Sequence, residues 1–371
     1  MKILWLANVP SPYRVDFFNE LGKKCDLTVV FEKKTSDERD KSWLNYKFLT
    51  FKGIFLNGKS INTDTAFCPS IIRYLKKSYD EIIVTNVSSP TGMIAIQYMK
   101  FNHIKYWIEG DGGFPKNGKG IKEKIKRHFI TGAYGYFSTG KSHDDYYLFY
   151  GANKGSIYKY PFTSLSNEDI KYAYNMIQLD KEKIKKQLKI IEDKVVLSVG
   201  RFSYDRGYGK GYDILMKSAE NTPKGIGFYI VGDEPTEEFI KWKQSKKLDN
   251  VHFVGFKNKK DLSYYYSAAD VFVLMTRGDV WGLVINEAMS YGLPIISTAK
   301  CGAGLELIQS GVNGYIMDSY DFRRLGKLVI ELCSNDDIRK RMKDNNLEIA
   351  KEYTVEHMAE KHIDIFRKEK E

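Results

Sequence analysis

The sequence predicts an α/β protein made of two doubly wound parallel sheets in tandem. Short apolar runs of strand length alternate with stretches of helical periodicity, and the alternation stops in a lysine-rich interval and then restarts. The 371 residues also exceed what one hydrophobic core usually supports. Strands separated by helices need crossover connections, and crossovers make the strands of a sheet parallel.

The first strand is expected over 2–9, and a helix over 15–24 follows, with Val15, Phe18 and Leu21 on one face. A strand at 26–31 comes next, and strands at 81–85, 105–109, 134–138 and 156–160 are interleaved with helices at 70–78, 90–100, 121–131 and 142–150. Residues 1–165 are therefore expected as an amino-terminal unit. From 166 to 190 the chain turns polar and lysine-rich without a strand, so 166–192 is expected as a linker. The second series has strands at 195–202, 226–231, 251–256, 271–275 and 294–297, with helices at 212–220, 236–247, 260–269, 283–291 and 305–310, giving a unit over 193–352. Beyond Asp318 only helix is expected, ending at 355–368.

Composition narrows the class. Hydrophobic residues at 43% and charged residues at 28% are those of an ordinary globular chain. No apolar run approaches the roughly 20 residues of a membrane-spanning helix, and the apolar start at 3–9 is too short for a signal sequence and ends at Pro10-Ser11-Pro12. Cys25, Cys68, Cys301 and Cys333 are far apart with no C-x-x-C pair, which fits buried thiols in a reducing cytoplasm. The 58 basic against 47 acidic residues leave +11, a field that favours an anionic partner: nucleic acid, a phosphorylated small molecule or an acidic lipid surface. The 6 histidines form no ligand-like or triad-like cluster, and the 26 tyrosines lack the glycine-aromatic signature of an RNA-binding platform.

In open parallel sheets ligands collect at the carboxyl ends of strands, so the loops that follow strands carry the argument. The most informative runs from Asp270 to Gly292. A buried strand ends at Met275, a loop holds Gly278, Asp279 and Gly282, and a helix starts at Leu283. Unpaired N–H groups at that helix start form an anion site, and Gly282 lets a phosphate approach the main chain. Asp279 beside the site and Glu287 one turn into the helix suit the two ends of a polyhydroxylated phosphate ligand. An Asp279 helix cap and a solvated Glu287 are the plain alternative. In the second loop Arg201 follows Gly200 at a strand end and Lys210 precedes the next helix. A fork-shaped and a point cation suit two phosphates, Arg206 between them can replace either, and a loop with three incidental basic residues is the plain alternative.

Taken in order, Gly200-Arg201, Lys210-Gly211, Val231-Gly232-Asp233, Val254-Gly255-Phe256, Ala268-Ala269-Asp270, the Asp279 to Glu287 segment, Ala288 to Pro294 and Gly311-Val312-Asn313-Gly314 resemble family 4 retaining glycosyltransferases (glycosyl transferases group 1). The resemblance is strong over 193–320, and Asn8 to Arg14 looks like the opening of bacterial polysaccharide-assembling members. It implies the GT-B fold, two Rossmann-like domains facing across a cleft, with a last helix at 353–371 returning to the first domain. It implies a nucleotide-diphosphate-sugar donor, with a UDP-sugar favoured over a GDP-sugar, and transfer with retention to a hydroxyl of a glycan or lipid-linked saccharide. On this resemblance Glu287 bonds the ribose and Asp279, where the family has glutamate, addresses the donor sugar. Arg201 and Lys210 take the diphosphate, supported by the N–H groups of Gly282, Leu283 and Val284, and Phe256 lies against the base. The interval from arginine to lysine is about four residues longer than in relatives, which keeps Arg206 as the other candidate.

Fixed cations and a helix start aimed at the departing diphosphate stabilise the charge that develops there, so neither a metal nor a cofactor is expected. Glu109-Gly110-Asp111 is the nearest approach to a metal-binding Asp-x-Asp, and Glu109 or Asp111 can instead polarise the acceptor hydroxyl; an acidic turn is the plain alternative. Residues 116–141 hold seven Lys or Arg against one acid, Glu123, and Ile121, Ile125 and Phe129 recur at helical spacing. A basic amphipathic helix over 116–131 fits the anionic inner face of a plasma membrane, or else packs its apolar stripe on the core. A nucleic-acid-binding protein accounts for the charge but not for the ordered motifs, so no nucleic acid partner is expected. A nicotinamide oxidoreductase lacks its G-x-G-x-x-G, and an inactive sugar-binding module differs from an enzyme only in turnover.

Overall fold

The computed structural model describes residues 1–35, 46–116, 118 and 120–369 and divides into two compact units, Met1–Ser164 with Thr354–Glu371, and Leu165–Tyr353. In the first unit, β1 (Lys2–Ala7), β2 (Asp26–Phe31), β3 (Lys52–Phe55), β6 (Glu81–Val84), β7 (Trp107–Glu109), β8 (Gly135–Ser138) and β9 (Ile157–Lys159) form one parallel sheet in the order β3-β2-β1-β6-β7-β8-β9. The small antiparallel pair β4 (Lys59–Ser60) and β5 (Ala66–Phe67) stands apart from it. Strand β1 is buried from Ile3 to Ala7, the continuous apolar run of a strand covered on both faces. Edge strand β3 was not expected: an exposed Lys52 and three half-buried residues with Gly53 among them leave no apolar run to read.

The helix Pro12–Gly22 opens with proline at its first position and lays Phe17 and Phe18 against Trp5, with ring centroids 5.5 and 5.3 Å away. The last helix, Val355–Lys368, completes this core. His362 lies 5.0 Å from Phe17 and 4.3 Å from Phe137, and Phe366 lies 5.3 Å from Trp107, which is why Thr354–Glu371 belongs to the first unit.

The second unit carries β10 (Lys194–Val199), β11 (Ile226–Val231), β12 (Val251–Gly255), β13 (Val271–Leu274), β14 (Ile295–Thr298) and β15 (Gly314–Met317), all parallel, in the order β12-β11-β10-β13-β14-β15. Counted within the unit this is 3-2-1-4-5-6, the doubly wound order, and its direction reverses between β10 and β13. Strand β15 was not expected, because Gly311-Val312-Asn313-Gly314 reads as a turn and the four-residue strand begins at its last glycine. The helix expected at 305–310 lies earlier, at Gly302–Leu307.

The expected linker at 166–192 is instead part of the second unit. It forms the helices Asn167–Met176, started by a Ser166–Asp169 capping box, and Lys181–Gln187, capped by Asp180. Lys181 Nζ donates to Asp270 Oδ1 at 2.7 Å and to the Ala269 carbonyl at 2.8 Å, so a buried partner at the foot of β13 holds this polar stretch down. Among the described residues no helix is long and apolar enough to cross a membrane.

Candidate functional site

The reversal between β10 and β13 puts the loops after these strands side by side, and both sequence motifs lie in them. The loops are interlocked. Arg277 N–H donates to the Gly209 carbonyl at 2.9 Å, Thr276 Oγ1 to the same oxygen at 3.0 Å, and Tyr204 OH to the Gly278 carbonyl at 3.0 Å. Gly211 has φ +73, and a Cβ there would lie 2.1 Å from the Met275 carbonyl oxygen, so only glycine lets the helix Tyr212–Ala219 start against β13. Arg277, half-buried, is locked by Asp213 and the Tyr208 carbonyl, both at 2.7 Å. The loop after β10 is also held by Asp233, whose carboxylate accepts from the Phe202 N–H and, at 3.1 Å, from the Ser203 N–H.

These contacts bring Lys210 to Asp279. The ammonium donates to Oδ2 at 2.6 Å, with the side chains only 17% and 18% exposed. The Asp279 backbone is fixed as well, its N–H donating to the Lys300 carbonyl at 2.9 Å and its carbonyl accepting from Gly302 at 3.1 Å. Gly282, at φ +96, then opens the helix Leu283–Ser290. No side chain caps this helix, and the N–H groups of Gly282, Leu283 and Val284 donate to nothing among the described residues. A cation, a carboxylate and a row of free amide donors thus meet at one strand end.

One turn into that helix, Glu287 accepts from Tyr266 OH at 2.8 Å, and burial pushes its carboxyl above the ordinary range despite that bond. It is a helix acceptor held in position by a tyrosine, not the solvated residue of the plain alternative. Arg201 is exposed at the end of β10 and has no hydrogen bond or ion pair among the described residues. Arg206 differs. The turn at Asp205 and Arg206, with φ +50 and +53, carries it to Glu238, 3.5 Å away, where its side chain is 74% exposed. Phe256 follows edge strand β12, two strands from β10, and is 69% exposed, so it is not brought among the others.

Glu109 and Asp111 belong to the first unit, and their surroundings are those of a structural network. Glu109 is 1% exposed; its Oε1 accepts from Arg14 Nη1 at 2.8 Å and Tyr160 OH at 2.7 Å, with His362 Nε2 at 3.8 Å. Burial alone would raise its pKa, but Arg14 and His362 outweigh burial and bring it to about 2. Sealed in this way, Glu109 does not reach an acceptor hydroxyl, contrary to the sequence expectation. Asp111 accepts from the same guanidinium and from Tyr13 OH at 2.6 Å, and keeps 36% of its side chain exposed. Both carboxylates of the Glu109-Gly110-Asp111 triplet thus turn to Arg14 instead of converging on an open cation site.

Sequence reasoning missed Arg14 as their common partner, and it missed His143. A Cβ on Gly110 would sit 3.4 Å from the His143 ring, which is buried, stacked 4.2 Å from Tyr147 and kept neutral by that burial, with its pKa lowered to about 3. Neither signal was available locally, since an arginine after a proline-rich loop and a lone histidine on a polar helix carry no periodic mark. Among the described residues no three His, Cys, Asp or Glu side chains gather as a metal site.

Residues 180–348 match the family model described as glycosyl transferases group 1. An uncharacterized glycosyltransferase of Haemophilus influenzae is 30% identical over 184 residues, 47% of this chain and 50% of that protein. The capsular polysaccharide biosynthesis glycosyltransferase CapM of Staphylococcus aureus is 25% identical over 178 residues, 46% of each. The matches span about half the length of these curated relatives. Among solved structures, HepE of Anabaena in complex with UDP aligns with a TM-score of 0.77 at 17% identity, covering 99% of this chain and 100% of that one. That likeness shows the shared fold, an α/β architecture of two Rossmann-like halves known as GT-B.

Proposed function

We propose that the chain, whose residues 180–348 match the group 1 glycosyltransferase model, is such an enzyme of the GT-B fold and moves a hexosyl group from a UDP-sugar to a hydroxyl of a glycan or lipid-linked saccharide. Transfer proceeds with retention and needs neither metal nor cofactor, and the product is a bacterial cell-surface polysaccharide. The observation that carries this reading is the meeting of Lys210, Asp279 and the free amides of Gly282, Leu283 and Val284 at the reversal of strand order. HepE in its complex with UDP and CapM in capsular polysaccharide biosynthesis support the choice of donor and of product class.

In this mechanism the bond from the anomeric carbon to the diphosphate breaks as negative charge gathers on the phosphate oxygens. Lys210, Arg201 and the three amides act on that charge, which is larger in the transition state than in the bound donor, so their attraction lowers the barrier as well as binding the substrate. Glu287, its carboxylate oriented by Tyr266, accepts from the ribose hydroxyls, and Asp279 accepts from the sugar hydroxyls. Thermal stabilisation by a panel of UDP-, GDP- and ADP-sugars checks the site, because a ligand bound only to the folded state raises the melting temperature with its concentration. UDP-sugars are expected to give the largest rise, and Glu287→Ala and Arg201→Ala to abolish it; a shift unchanged in both variants overturns the assignment.

A peripheral contact with an anionic membrane is the second part of the proposal. It rests on the helix Ile121–Ile130, where Ile121 is 76% and Ile125 43% exposed beside the exposed Lys122 and Lys124, so these two isoleucines do not pack on the core as the alternative required. Phe129 does pack there, and Asn117 and Lys119 of the stretch 116–131 lie outside the described residues. In this reading the protein works in the cytoplasm, at the inner face of the plasma membrane. Flotation with phosphatidylglycerol vesicles is expected to retain the protein, and Ile121→Glu with Ile125→Glu to release it. Retention that does not depend on anionic lipid ends this part.

A further inference from the structure

A cavity of about 770 Å³ opens on the second unit among the helices Tyr212–Ala219, Glu237–Ser245 and Phe322–Ser334, and none of the residues assigned to the donor lines it. Four cations surround it, Lys217, Lys246, Arg323 and Lys327, against one acid, Glu220. Lys217 and Lys246 stand at the ends of their helices, where the helix dipole favours a cation. Arg323 stands in the first turn of its helix, where the dipole disfavours one, so helix electrostatics do not account for it.

The lining has a second character. Trp242 and Phe322 give it two aromatic faces, with Lys217 held 6.0 Å from the first and Arg323 5.7 Å from the second. Ser218 lines the cavity, is 1% exposed, and its hydroxyl has no hydrogen-bond partner among the described residues. A Cβ on Gly326 would come within 3.3 Å of that hydroxyl, so glycine at this position leaves room beside it. A buried hydroxyl without a partner is a cost that a ligand hydrogen bond removes.

We propose that this cavity binds the phosphate ester of a monosaccharide. The cations suit the phosphate, the aromatic faces suit the C–H face of a sugar ring, and Glu220, Asn221 and Ser218 suit its hydroxyls. This site lies beyond the proposed transfer reaction and does not depend on it. The helix Tyr212–Ala219, which begins just after Lys210, ends here about 12 Å further on, so occupancy bears on the helix that supports the donor loop.

The test is calorimetric titration of the full chain with glucose 6-phosphate at saturating UDP. One equivalent is expected to bind under UDP and more tightly than inorganic phosphate. Arg323→Glu combined with Lys327→Glu is expected to weaken binding at least about tenfold, the worth of one charge-assisted hydrogen bond. Both residues are exposed, so the variant keeps its fold, which an unchanged melting temperature without ligand verifies. Absence of binding, displacement by UDP, equal affinity for inorganic phosphate, or indifference to the charge reversal each overturns the site.

Discussion

Lys210→Ala is expected to lower kcat/KM for a UDP-sugar by about a hundredfold to a thousandfold, the range found when one preorganised donor to a developing oxyanion is removed. The expectation rests on burial as much as on charge. At 17% exposure beside an 18% exposed Asp279, the ammonium is poorly screened and already oriented before any donor arrives. Arg206→Ala should change the rate by less than about twofold, because that guanidinium is 74% exposed and turned to Glu238, where an ion pair contributes little. Asp279→Asn should also cost rate, since the sugar hydroxyls lose a charged acceptor. Its effect and that of Lys210→Ala should not add, because the two share one 2.6 Å ion pair and removing either leaves the other without its partner. Steady-state kinetics of the two single variants, their double variant and Arg206→Ala separate these roles. Full activity in Lys210→Ala with loss in Arg206→Ala would exchange them.

The contrast between Lys210 and Arg206 shows what the sequence makes legible. Strand ends, glycines and helix starts leave local marks, so the loops after β10 and β13 and the helix start after Gly282 can be read from spacing alone. What joins those loops is a pairing across 69 residues, and apolar periodicity contains nothing about which cation meets which acid. For the same reason Arg277 with Asp213, and Asp233 with the Phe202 and Ser203 amides, went unnoticed, although they hold the loops in place. Short elements fail differently. The four-residue strands β3 and β15 are too brief to show a period, and the helices at 167–176 and 181–187 are polar enough to pass for a linker while capping residues and the Lys181–Asp270 pair attach them to the second unit. The network around Glu109 is the extreme case, since its partners come from the first helix, the strand end before Tyr160 and the last helix of the chain.

That network carries the second large effect. Arg14→Met should destabilise the first unit by about 3–5 kcal/mol at neutral pH, since it leaves the Glu109 carboxylate buried without its counter-charge. The pH dependence distinguishes this cause from lost packing. In the unaltered protein Glu109 titrates at about 2 in the folded state against 4.5 when unperturbed, so the unfolded chain binds the proton more readily. Its contribution of about 3 kcal/mol is therefore complete above pH 4.5 and is lost as the pH falls towards 2. Without Arg14, burial is left as the main influence and raises the Glu109 pKa above 4.5, so the variant loses stability as the pH rises through that raised value and recovers it in mild acid. The stability difference between the two proteins should shrink on acidification from pH 7 to pH 4, and Arg14→Met combined with Glu109→Gln should restore part of the loss at pH 7. Hydrogen exchange of the β1 and β8 amides reads the first unit separately from the second. A difference that stays constant between those pH values would mean that Arg14 acts through packing against Phe162, 5.4 Å away, and not through its charge.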